Sequence, residues 1–213
     1  TFIFIFFYSF TGNIFAELFN ASEFRLKNGL KVIVVENDRA PIVSQMIWYN
    51  VGSVDEEYGK SGLAHFLEHL MFKGTTKFPN GYFSKYISKN GGSENAFTSF
   101  DYTAYYQIIP SDKVEKIIEL ESDRMRNLTL TKEQVETEKK VILEERYQRI
   151  DSSPSAILDE SMRKSLFPNH AYGTPIIGWE HEIESLEHQD VKQFYKKYYI
   201  PSNAMYILWY QHT

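Results

Sequence analysis

The sequence predicts an α+β fold in which antiparallel strands pack against helices, and three observations carry that prediction. Short runs rich in β-branched and aromatic residues lie at 31–36, 42–50, 93–99 and 103–109. Segments with helical spacing and good terminal signals lie at 61–72, 80–89, 112–127, 132–149, 154–166 and 188–199. No internal repeat and no Gly/Ser-rich or Pro-rich linker divides the chain, so these elements are expected to share one domain.

The chain opens with an apolar run, Phe2 to Phe10, that reads as the hydrophobic core of an export signal and is short for a membrane span. Residues 1–23 are therefore expected to be a signal-like or anchoring segment, with Ala16 and Ala21 as candidate cleavage positions and the folded domain covering 24–213. The plain alternative for the apolar run is a buried strand. The favoured localisation is periplasmic or secreted, with a membrane anchor as the variant.

The first two strands are followed by a helix over 61–72. Ser61 is its expected N-cap, Gly74 its stop, and Lys73 stands favourably against the negative end of the helix dipole. Phe66, Leu67, Leu70, Met71 and Phe72 surround much of this helix, so it should be mostly buried. Gly91 ends the next helix, and the strand pair 93–99 and 103–109 follows, rich in Thr, Tyr and Phe. Ser111 signals the helix at 112–127. Thr131-Lys132-Glu133-Gln134 is a capping box for the helix at 132–149, and Ser153-Pro154 is a helix start for 154–166. Pro201 ends the last helix, after which Met205 to Trp209 can form a strand.

Composition narrows the chemistry. With 213 residues, 43% hydrophobic and 24% charged, the chain can bury one substantial core. A net charge of −5 and the lack of a basic stripe argue against nucleic-acid binding. The absence of cysteine removes disulfides, thiolate-rich metal sites and a cysteine nucleophile together. Met71 beside the motif reads as core packing, and His170, His181, His188 and His212 as surface residues.

The chemistry concentrates in His65-Phe66-Leu67-Glu68-His69. Histidines four apart on a helix project from one face with Cβ atoms about 5–6 Å apart, close enough for both to reach one ion at about 2.0–2.1 Å. Glu68 lies beside them without having to bind. Two neutral nitrogen ligands and an adjacent base are what metal-assisted hydrolysis requires, and His-x-x-Glu-His is among the inverted zinc-peptidase motifs. By chance alone the pattern arises in on the order of one chain in a hundred, so it needs a third ligand. The acidic helix at 132–149 can supply one: Glu138 and Glu145 are two turns apart on a face shared with Val141 and Ile142, while most of its acids read as a solvated surface.

His65-x-x-Glu68-His69 followed by Val141-Ile142-Leu143-Glu144-Glu145 resembles the pitrilysin/insulinase family of zinc peptidases, and within it the bacterial relatives of the mitochondrial processing peptidase β subunit. The resemblance extends to Asn28-Gly29-Leu30-Lys31-Val32, to Val51 through Glu56, to Gly91 through Thr103 and to Tyr172 through Gly178, and so runs from about Phe24 to Asn203. It implies that His65, His69 and Glu145 bind zinc, that Glu68 activates the water, and that Glu138 assists. Two histidines and a glutamate leave the fourth position open, the mark of a catalytic zinc site, where the metal brings the water's pKa to about 7. It also implies that an extended peptide or unfolded protein adds as a strand beside Asn95, Ala96 and Phe97. For Phe97, Tyr102, Tyr105 and Tyr106, sheet-face packing is the alternative role.

Where the family continues into further helix and a second homologous domain, this chain reads Met205 to Thr213. The sequence thus predicts a zinc metalloendopeptidase, or its metal-binding half, completed by a second domain or subunit. The competing expectation is a non-catalytic peptide-binding subunit or a truncated inactive product. Completeness of His65, Glu68, His69 and Glu145 favours the first.

Overall fold

A computed structural model describes residues 21–36, 40–79 and 81–210 of the chain. The signal-like run Phe2 to Phe10 and His212 lie outside the described residues. Six strands form one sheet: β1 (Ala21–Arg25), β2 (Lys31–Glu36), β3 (Ile42–Tyr49), β4 (Ser93–Thr98), β5 (Thr103–Pro110) and β6 (Ala204–Tyr210). Their order is β1-β2-β6-β3-β5-β4. Helices and the sheet form an α+β architecture as expected, with one parallel pairing: β2 runs parallel to β6, Lys31 opposite Met205 through Glu36 opposite Tyr210. Every other pairing is antiparallel. The strand β1 begins at Ala21, so the boundary expected at residue 23 falls inside a strand.

The helices are α1 (Leu63–Leu70), α2 (Tyr82–Lys89), α3 (Val114–Asn127), α4 (Lys132–Arg146), α5 (Pro154–Leu166), α6 (Glu180–Ser185) and α7 (His188–Tyr198). The expected helix ending at 149 stops at Arg146 as α-helix and continues through a π-helical turn, Tyr147–Asp151. Helix α6 was not anticipated, being only six residues long. The capping box of α4 is formed, with Gln134 N donating to Thr131 Oγ1 at 3.1 Å and Thr131 N to Gln134 Oε1 at 2.9 Å. Ser153 caps α5 with Pro154 in its first turn. Ser111 does not cap α3; it begins a short 3₁₀ turn that leads into that helix.

Strand β3 sets the inner face of the sheet: Val43, Gln45, Ile47 and Tyr49 alternate inward, as a strand with one buried face dictates. Ile47 and Tyr49 meet Phe66, Leu67 and Leu70 of α1, Ile142 of α4 and Val191 of α7 in the principal core. A smaller cluster, Phe78, Phe83, Ile87, Ile109, Ile117 and Leu120, seats α2 and α3. The buried glutamines are paired: Gln45 and Gln107 sit opposite each other in register and share a 2.8 Å hydrogen bond, and Tyr206 Oη donates to Gln45 Oε1 at 2.5 Å. Helix α1 is thereby held against the sheet by its apolar face, which leaves its histidines facing α4. Among the described residues, strand β4 pairs only with β5 and is a sheet edge. Among the described residues, no helix is long and apolar enough to cross a membrane.

Candidate metal centre

Helix α1 starts from an arrangement that sequence alone did not disclose. Its N-cap is Gly62 in the left-handed conformation (φ +87°), not Ser61. The capping acceptor is Glu56, whose carboxylate takes hydrogen bonds from Gly62 N at 3.0 Å and Ala64 N at 2.8 Å. Burial pushes the Glu56 carboxyl up to about 8 against these two donors. Ser61 is used elsewhere: its Oγ accepts from Trp179 N at 2.9 Å, and its own N–H donates to Glu182 Oε2 at 2.7 Å. Gly62 has no alternative, because a Cβ there would come within 2.5 Å of Ile177 O. The loop preceding α6 thus clamps the start of the helix that carries the histidines.

Helices α1 and α4 face each other through a ladder of alternating bases and acids. His65, His69 and Lys73 stand four apart along α1 and its exit, while Glu145 and Glu138 oppose them two turns apart on α4. Glu145 Oε2 lies 3.7 Å from His65 Nε2 and 3.3 Å from His69 Nε2. One ligand atom from each of these residues falls within 4.8 Å of the others. Glu138 Oε1 lies 2.9 Å from His69 Nδ1, and Glu138 Oε2 forms an ion pair with Lys73 Nζ.

The donor set fits a metal. Glu145 Oε2 is buried without a hydrogen-bond partner between two imidazole nitrogens, a costly position for a carboxylate oxygen unless a cation shares it. Two nitrogens and one oxygen suit zinc and leave a coordination position open. The arrangement of Glu138 on the far nitrogen of His69 is the carboxylate–histidine pairing that fixes which ring nitrogen faces a metal.

Electrostatics differ between the two histidines. Burial and the neighbouring His69 push His65 down to about 4, so it stays neutral. Burial opposes the charged form of His69 too, but the carboxylates of Glu138 and Glu145 outweigh it and hold His69 up at about 9 in the metal-free site. The His69 ring, 3.3 Å from its Oε2, places Glu145 below the usual carboxylate range. Glu138 is low as well, because contacts with His69 and Lys73 overcome its burial. Burial raises Glu68, countered in part by Thr98, whose Oγ1 donates to Glu68 Oε2 at 2.5 Å.

The expected site residues are brought together. A cleft of about 970 Å³ is lined by His65, Glu68, His69 and Glu145, by Asn95, Ala96 and Phe97 of β4, and by Asp159 and Arg163 of α5. Glu138 stands behind His69 and does not line it. Of the aromatic residues, Tyr105 is fully buried with its hydroxyl 2.9 Å from that of Tyr199, so its role is packing. Phe97 both lines the cleft and packs edge-on against Trp48, with ring centroids 5.5 Å apart. His170 and His181 are exposed, and His188 is half-buried with Nε2 2.9 Å from Leu130 O.

Two further residues belong to the site. Thr98 holds the motif glutamate, and Arg149, four residues beyond Glu145 on the π-helical turn, reaches Glu145 Oε1 at 2.9 Å. The i, i+4 spacing of Glu145 and Arg149 was a visible signal for the second. Nothing local marked Thr98, whose contact depends on how β4 lies over α1.

Known proteins share this fold. The family model described as insulinase (peptidase family M16) matches residues 31–180. The zinc protease PqqE of Helicobacter pylori is 36% identical over 184 residues, covering 86% of this chain and 41% of that protein. The crystal structure of a protease from Helicobacter pylori superposes with a TM-score of 0.81 at 36% identity, covering 88% of this chain and 45% of that one. The periplasmic protease PqqL from Escherichia coli superposes with a TM-score of 0.81 at 26% identity, covering 89% of this chain and 22% of that one. The chain therefore spans less than half the length of these relatives.

Proposed function

The chain belongs to the insulinase family, peptidase family M16, and on that premise we propose that it carries the metal centre of a zinc metalloendopeptidase acting on extended peptides. His65, His69 and Glu145 would hold the ion, and Glu68 would be the general base. The observation that carries the proposal is the buried, unpartnered Oε2 of Glu145 between two imidazole Nε2 atoms. Zinc, when bound there, supplies a Lewis acid that polarises a peptide carbonyl and acidifies water.

The remaining chemistry belongs to the chain's own side chains. Glu68 lies in the cleft beside the ligands, with one oxygen held by Thr98 and the other left to accept a proton from the attacking water. The raised pKa of Glu68 suits it to keep that proton and then deliver it to the leaving amine. Glu138 acts through His69 by accepting from Nδ1, so the assistance it gives is orientation of a ligand, at a place from which it does not touch substrate.

Substrate would enter as an added strand on β4, whose outer edge is unpaired among the described residues. Asn95, Ala96 and Phe97 would flank the scissile bond there. In the full-length protein a second homologous domain or subunit would cover the cleft, and the apolar run Phe2 to Phe10 would direct export to the periplasm or beyond. The discriminating experiment is zinc stoichiometry together with peptide hydrolysis, using Glu68→Gln as control. One zinc per chain and cleavage that Glu68→Gln abolishes are expected. Failure to bind zinc would overturn the site assignment. Zinc binding without Glu68-dependent cleavage would leave this chain a peptide-binding module.

A further inference from the structure

We infer that Lys73 is a positioning residue for the metal centre, holding Glu138 in the one orientation that turns Nε2 of His69 toward the ion. The role presupposes the metal site proposed above.

Lys73 lies beyond the regular part of α1, and the way the helix ends is what returns it to the site. The exit tightens into three-residue closures, with Phe72 N donating to His69 O at 3.2 Å and Lys73 N to Leu70 O at 3.0 Å. Lys73 thus follows His65 and His69 on one line, and Gly74, at φ +97°, turns the chain away immediately afterwards. Helix-dipole stabilisation would be satisfied by a cation anywhere around the last turn. The position found is specific: the Nζ reaches a carboxylate on another helix that is itself only 5% exposed.

That carboxylate has two partners on two different oxygens, His69 on Oε1 and Lys73 on Oε2. A carboxylate held on one oxygen alone can rotate about its last torsion or tilt away, because that torsion is broad. Held on both, it presents Oε1 to His69 Nδ1 in one geometry. With Nδ1–H committed to Glu138, the ring cannot flip to offer Nδ1 to the cleft, and Nε2 is the nitrogen that faces Glu145 and His65. Lys73 and His69 are the cationic partners of Glu138 among the described ion pairs, so loss of Lys73 leaves the imidazole as its sole anchor.

The test measures zinc affinity on the whole chain by competition with a chromophoric chelator, for wild type, Lys73→Met and Lys73→Arg. Methionine keeps the stem and removes the charge; arginine keeps a donor that reaches Oε2. Lys73→Met is expected to raise the zinc dissociation constant about tenfold, the effect typical of residues that orient a ligand, and Lys73→Arg to stay within about threefold of wild type. Long-range ¹H–¹⁵N spectra of the zinc-loaded chains supply a second readout: a single Nδ1-protonated His69 signal in wild type and Lys73→Arg, and a shifted or broadened one in Lys73→Met. Should Lys73→Met fail to fold, Lys73→Gln takes its place. A wild type that binds no zinc overturns the metal site itself. A wild type that binds, with a Lys73→Met chain whose affinity is within about twofold and whose His69 signal is unchanged, overturns the role of Lys73 alone. So does a variant that melts earlier without zinc yet binds it normally, because Lys73 would then serve packing only.

Discussion

Zinc and a proton compete for Nε2 of His69, and the carboxylates around the ring favour the proton. In the metal-free site His69 is held at about 9 by Glu138 and Glu145, while His65 is pushed down to about 4. A ligand must be deprotonated to bind, so loading zinc below pH 9 expels about one proton, from His69 and not from His65. Apparent affinity should therefore fall about tenfold per pH unit on going down from pH 9, reaching about 100-fold at pH 7, or about 2.7 kcal/mol. An ordinary histidine would cost less than about twofold at pH 7. The perturbation is pH, the assay is chelator competition from pH 6 to 9.5, and calorimetry at pH 7 in buffers of different ionisation enthalpy counts the released proton. Glu138→Gln should move the bend in the profile toward 6.5 by removing one of the two carboxylates. An affinity flat between pH 7 and 9, with no proton released at pH 7, would refute the reasoning. The same shifts govern the metal-free fold. His69, raised, adds stability that is complete below about 6.5 and fades as pH rises through 9; His65, lowered, costs stability as pH falls from about 6.5 toward 4. These two histidines by themselves would place the maximum of metal-free stability near pH 6.5, and the Glu56 carboxyl, raised to about 8, pulls it to lower pH because its neutral form is lost as pH rises.

Three other perturbations follow from the same contacts. Glu68→Gln should keep one zinc per chain and lower peptide cleavage by about 10²–10⁴-fold; undiminished cleavage would remove Glu68 from the chemistry. Gly62→Ala should cost more than Gly59→Ala, although both glycines have positive φ (+87° and +84°), because only the first would press a Cβ onto Ile177 O. The strain shared by both is about 1–3 kcal/mol, and equal melting temperatures would show that the loop yields. Glu160→Ala should destabilise by about 3 kcal/mol in denaturant unfolding, since it strips the two hydrogen bonds of 2.9 and 3.0 Å from the buried guanidinium of Arg146. An effect below about 1 kcal/mol would mean that Asp151 and Gly178 O suffice for Arg146.

Most of the secondary structure was legible because apolar spacing and caps are local. Thr131, Ser153 and the alternating residues of β3 each announce their element without help from distant chain. The histidine pair was legible for the same reason, since spacing along one helix fixes its geometry. Glu145 and Glu138 needed more: their two-turn spacing selects a face, but only the family resemblance selects them from a helix full of acids. What could not be read depends on partners far along the sequence. Ser61 looks like an N-cap, yet Trp179 N, 118 residues on, takes its hydroxyl and leaves the capping to Glu56. Thr98 and Lys73 acquire their roles only when β4 and α4 are laid against α1. The parallel pairing of β2 with β6 joins segments that no short-range pattern connects.

That pairing also dictates an order of assembly. Among the described residues, the hairpin β1–β2 is hydrogen-bonded to the rest of the sheet only through β6, because β6 lies between β2 and β3. Until residues near 205–210 have left the ribosome, the chain can hold a β1–β2 hairpin and a β3–β5–β4 sheet, but the two have no hydrogen-bonded seam between them. Closing that seam brings together strands more than 170 residues apart, the kind of non-local step that slows folding and leaves edges exposed meanwhile. During that wait the flank of β3 that later receives β6 is an open template, and nascent chains should be most prone to associate in that interval.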